Sequence, residues 1–104
     1  MTATPSRTGD RMLEKDWYCS TDTARAATYD LVEAVVQAGF ATPSVHATML
    51  KGTQCEWAGK GGVVMVLFDD SARCSLVTVR YGEDAGDVVD LPTTDQIAAA
   101  LRTI

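Results

Sequence analysis

The sequence predicts an α+β domain, an antiparallel meander of three or more strands flanked by a long N-terminal helix and a short C-terminal one. Three observations lead there. A capped stretch with apolar residues at helical spacing runs from Thr21 to Ala38. Two apolar runs, Val63–Phe68 and Cys74–Tyr81, are separated only by Asp69-Asp70-Ser71-Ala72-Arg73, as in a hairpin. A second capped apolar stripe closes the chain after Thr93.

In chain order, residues 1–10 are rich in Thr, Ser, Pro and Gly without periodicity and are expected to form a disordered tail, leaving residues 11–104 as one domain. Arg11 to Cys19 carries enough apolar mass to dock on a core, as a helical turn or a strand. The first helix can be capped by Ser20 or Thr21, with Asp22 in its first turn where the helix dipole favours an acid. Ala24, Ala27, Thr28, Leu31, Val35 and Ala38 form its stripe, widened by Val32 and Val36. Gly39 supplies a left-handed stop and Phe40 is placed to fold back on the last turn.

A weakly patterned strand is expected within Val45–Trp57, with Gly52 as a bulge. Ala58-Gly59-Lys60-Gly61-Gly62 turns the chain into the Val63 strand. After the third strand comes an acidic loop containing Val88-Val89, which has the character of an edge segment. Thr93 and Gln96 then have the spacing of a capping box, with Ile97, Ala100 and Leu101 as one apolar stripe.

The Val63 strand is apolar at every position, although an antiparallel sheet with one wet face should alternate. If Trp57 pairs with Val63 and Phe68 with Cys74, one face collects Cys55, Trp57, Val63, Met65, Leu67, Val77, Val79 and Tyr81 and forms the core. The other collects Glu56, Val64, Val66, Phe68, Cys74, Leu76, Thr78 and Arg80. Either the second face is interior, covered by helices on opposite faces or by the Met12–Tyr18 segment crossing underneath, or the helices share one face and the Val64, Val66, Phe68, Leu76 face meets a partner.

With 46% apolar and 22% charged residues the chain has ordinary globular composition, and its longest apolar run of six residues is far short of the roughly 20 that span a bilayer. The N-terminus lacks the basic start and apolar stretch of a signal peptide, and three irregularly spaced cysteines fit a reducing compartment, so a cytoplasmic protein is expected. No Asn and three Lys against fourteen Ala and eleven Val suggest a GC-rich bacterial or phage genome.

Charge is uneven. Residues 1–82 hold nine acids and eight bases, whereas residues 83–104 hold Glu83, Asp84, Asp87, Asp90 and Asp95 against Arg102 alone. Such a field repels phosphate backbones and suits a basic partner. Cys19, His46, Cys55 and Cys74 lack the close spacing of a zinc site, and in the assumed register Cys55 and Cys74 fall on opposite faces, too far apart for a bridge. Trp57 to Gly62 lacks the hydroxyl and helix of a phosphate loop, and the acids lack the alternating ligands of a calcium loop. No cofactor or metal is implied.

Helix, meander and helix follow in an order that resembles double-stranded RNA-binding domains, but Thr93-Thr94-Asp95-Gln96 stands where their basic cluster would open the last helix. The long first helix before a meander also resembles small acidic chaperones of bacterial secretion systems. The expected function is non-catalytic: a small acidic module that binds another protein as an inhibitor, immunity factor, phage antagonist or chaperone. Its contact residues would be Val64, Val66, Phe68 and Leu76, with Glu83, Asp84, Asp87 and Asp90 as the docking charge, and a second copy of the chain is the alternative occupant. A pocket for a small ligand or substrate around Trp57, Tyr81, His46 and Cys55 is the second reading, and acidic mimicry of nucleic acid the third.

Overall fold

Helix α1 (Asp22–Gln37) begins where the sequence places it: Thr21, in extended conformation, accepts a hydrogen bond from the Ala24 N–H at 3.1 Å. It stops at Gly39, whose φ of 99° only glycine adopts freely. Gly39 N–H donates to the Val36 carbonyl and Phe40 N–H to that of Val35, the paired bonds of a Schellman ending. A computed structural model describes residues 19–83 and 85–104, so the expectations for residues 1–18 lie outside the described residues.

Among the described residues the sheet has five antiparallel strands in sequential order: β1 (Ser44–Ala47), β2 (Thr53–Ala58), β3 (Gly62–Phe68), β4 (Cys74–Arg80) and β5 (Asp87–Asp90). The single strand expected within Val45–Trp57 is thus two, joined by a tight turn. Thr48 N–H donates to the Gly52 carbonyl, Lys51 N–H to that of Thr48, and Gly52 N–H to Thr48 Oγ1. Gly52 is therefore a turn residue rather than a bulge. A Cβ there would sit 2.0 Å from the Phe68 carbonyl oxygen, which only glycine avoids. The Val88-Val89 segment pairs with β4 as an edge strand.

Register decides which side of the sheet is inside. β3 and β4 pair Phe68 with Cys74 as expected, but β2 and β3 pair Trp57 with Val64, not with Val63. That one-residue shift exchanges the faces of β3 relative to β2. Thr53, Cys55 and Trp57 consequently share a face with Val64, Val66, Phe68, Leu76 and Thr78, and all eight are buried.

Both helices cover this same face. Ala24, Val32 and Val35 of α1 and Ile97, Ala100 and Leu101 of α2 (Thr94–Leu101) join the strand residues in one core. The capping box of α2 is complete: Gln96 N–H donates to Thr93 Oγ1 at 3.1 Å and Thr93 N–H to Gln96 Oε1 at 2.8 Å. No helix among the described residues is long and apolar enough to cross a membrane.

Candidate protein-binding surface

The first consequence of the register is a correction. Val64 and Val66 have no exposed surface, and Phe68 and Leu76 are buried beneath the chain's own helices. These four residues are core and offer nothing to a partner. The expected geometry survives on the other side, because two helices on one face leave the opposite face without a covering element among the described residues.

That face is apolar through its middle. Val63, Met65 and Leu67 of β3 alternate outward from the buried Val64, Val66 and Phe68, and Val77 and Val79 lie beside them on β4. All five are half-buried. Val88, opposite Val77 on β5, is 69% exposed. On β2 the side is polar: Gln54 Nε2 lies 3.4 Å from Glu56 Oε1 and 3.6 Å from Met65 Sδ. Ser44 and His46 of β1, Ser75 of β4 and Asp90 of β5 complete the border by register. No strand position on this side carries Lys or Arg; Arg80, the one basic strand residue, has the parity of Thr78 and points to the other side.

Of the four acids expected to dock a partner, Asp84 lies outside the described residues and Glu83 is exposed. Asp87 pairs with Arg80 at 3.0 Å and Asp90 with Arg73 at 2.6 Å. The arginines that meet them come from β4 and from the turn before it. Such exposed pairs are weak and screened by salt.

The residues considered for a ligand pocket are not gathered in one place. Cys55 and Trp57 face the helices, His46 is exposed on the opposite side, and Tyr81 is exposed beyond the end of β4. Trp57 Nε1–H donates to the Ala41 carbonyl at 2.7 Å, so its polar atom is occupied. Cys55 and Cys74 share a face rather than lying on opposite ones, a second result of the register, and both are free thiols. Burial pushes the Cys55 thiol up to about 12, with Cys74 adding to the effect; burial also raises Cys74, helped by Asp90. Neither is a thiolate at neutral pH, the form that reacts or binds metal. No group of three His, Cys, Asp or Glu among the described residues has the geometry to hold a metal ion.

Two features went unseen in the sequence. The β1–β2 turn presents Met49 fully exposed and Leu50 79% exposed. At the other end of β2, Phe40, Ala41, Trp57, Ala58, Gly59, Leu101 and Ile104 line an apolar cleft of about 160 Å³. Its walls come from three separate parts of the chain, so no local pattern announces it. Comparison of the chain with protein-family models, with curated proteins and with solved structures returns no match.

Proposed function

We propose that this chain is a non-catalytic protein-binding module whose contact surface is the face of the sheet opposite the two described helices, centred on Met65, Val77 and Val79. The observation that carries the reading is β3 itself, apolar on both sides while both described helices lie on one. The occupant is a different protein with an apolar patch rimmed by Lys or Arg. Glu56 borders the face and no basic strand residue does, so a second copy laid face to face would offer that acid no opposite charge from its strands. An apolar centre inside a charged rim is common interface anatomy. Inhibitor, immunity, antagonist and chaperone roles all use such a surface, and three free thiols fit a reducing cytoplasmic setting.

The test is site-specific photo-crosslinking in cells that make the protein natively, with the probe at position 65 and a control at Ala26 on the exposed side of α1. The expected product is a discrete adduct with one other protein, formed from position 65 only and weakened when Glu56 is changed to Lys. Adducts solely with residues 1–18 of the same chain would mean that the face is covered from within. Adducts solely with a second copy would replace the basic partner by self-association.

A further inference from the structure

We propose that the chain also associates head to tail with copies of itself, the Met49-Leu50 turn of one molecule entering the Phe40–Trp57–Leu101–Ile104 cleft of the next. This contact uses neither the open sheet face nor the β5 edge, so it stands independently of the function proposed above.

The donor is an apolar projection held in a fixed shape. A turn of this length ordinarily carries polar residues, yet its two outermost side chains are Met and Leu. Three hydrogen bonds close the turn on itself, and Thr21 N–H donates to the Lys51 carbonyl at 2.9 Å, tying it to the start of α1. Lys51 sits at a positive φ of 66°, and Gly52 is jammed against the Phe68 and Asp69 backbone. Little backbone freedom is left to lose on binding, which favours affinity.

The acceptor has the matching size and chemistry. An apolar cavity of about 150 Å³ accommodates a benzene-sized group, so a cleft of about 160 Å³ takes one Met or Leu side chain. The one polar atom among its lining side chains, Trp57 Nε1, is already bonded to the Ala41 carbonyl. Turn and cleft lie at opposite ends of β2, about 20 Å apart at some 3.3 Å per residue, so no molecule can fill its own cleft.

Charge favours the same arrangement. Asp69 and Asp70 are exposed in the β3–β4 turn, whose backbone touches Gly52. At the cleft, Lys60 follows the lining residue Gly59, and the Arg102 guanidinium stands 5.7 Å over the ring of Phe40. Stacking one molecule on the next brings the acids toward Lys60 and Arg102, with Lys51 the one basic residue in the inserting turn. Because the two surfaces differ, the contact is heterologous and repeats into a ring or an open chain.

The experiment is sedimentation velocity on the full chain at rising concentration, with two variants at exposed positions: Met49→Ser with Leu50→Ser, and Ala41→Leu, which fills the cleft. Wild type is expected to gain mass with concentration, less so in high salt. Each variant alone is expected to associate at least about tenfold more weakly, the size of a hot-spot loss. Mixed, the two variants retain one intact turn and one intact cleft between them and are expected to form a pair of chains and nothing larger. Wild type that stays monomeric throughout overturns the proposal. So does association that survives both variants; its loss in Met65→Ser would then assign it to the sheet face.

Discussion

Thr28 and Thr53, 25 residues apart in sequence, meet through their hydroxyl oxygens at 2.5 Å with no solvent exposure at either. The direction of this bond follows from counting protons. Thr28 Oγ1–H is committed to the Ala24 carbonyl at 2.7 Å, so Thr53 must donate and Thr28 accept. The pair fastens the middle of α1 to the first residue of β2 on the core side of the sheet.

Its two ends are therefore unequal. Thr28→Val leaves the Thr53 hydroxyl buried without an acceptor and is expected to cost about 1–3 kcal/mol, whereas Thr53→Val leaves Thr28 still bonded to Ala24 and should cost less. The double replacement should cost less than the sum of the two. Urea denaturation of the three variants measures this coupling.

Neighbouring β3 residues should respond in opposite ways. Val66→Ser places a hydroxyl and a cavity in the core and is expected to destabilise the chain by about 2–4 kcal/mol. Met65→Ser, on the open face, should stay within about 1 kcal/mol. Equal losses in thermal denaturation would mean that both faces are interior.

The cysteines should label in the order Cys19, Cys74, Cys55, following exposure and the upward shifts of the last two thiols. Because the Cys55 thiol ionises at about 12 in the folded chain and near 9.0 when unfolded, the unfolded state loses the proton first. Stability is thus unaffected by this group below about pH 9 and falls as pH rises toward 12. Denaturation curves at increasing alkaline pH should show that fall in wild type and a smaller one in Cys55→Ala. Native-state alkylation followed by mass spectrometry reads the labelling order.

Two glycines separate steric from conformational need. Gly39→Ala meets nothing within 4 Å and is opposed only by its positive φ, for an expected cost of about 1 kcal/mol. Gly52→Ala drives a Cβ into the β3 backbone and should cost clearly more. Equal melting temperatures for the two variants would contradict that close approach.

Both helices were legible because their ends are written in side-chain chemistry: Thr21 and Asp22 at one start, Gly39-Phe40 at one stop, Thr93 and Gln96 at the other start. The β1–β2 turn was hidden, since Met49 and Leu50 look like strand residues and only Gly52 hints at a reversal. The phase of β2 is legible from Cys55 and Trp57, and so is that of β4 against β3. What failed was the joint between β2 and β3. The run Gly59-Lys60-Gly61-Gly62 allows the strand to begin at either of its last two residues, and a β3 with no polar position gives no second vote. The open face was accordingly foreseen in kind but assigned to the wrong residues, and the apolar turn and cleft depend on contacts between distant segments.

A strand with oily side chains above and below is indifferent to being turned over. In this fold the length of the glycine run, not the chemistry of β3, selects which three of its side chains are hidden and which three are displayed. An insertion or deletion of a single glycine there, more than any substitution, is the genetic change by which such a molecule would exchange its interior for its exterior and so acquire a new recognition surface in one step.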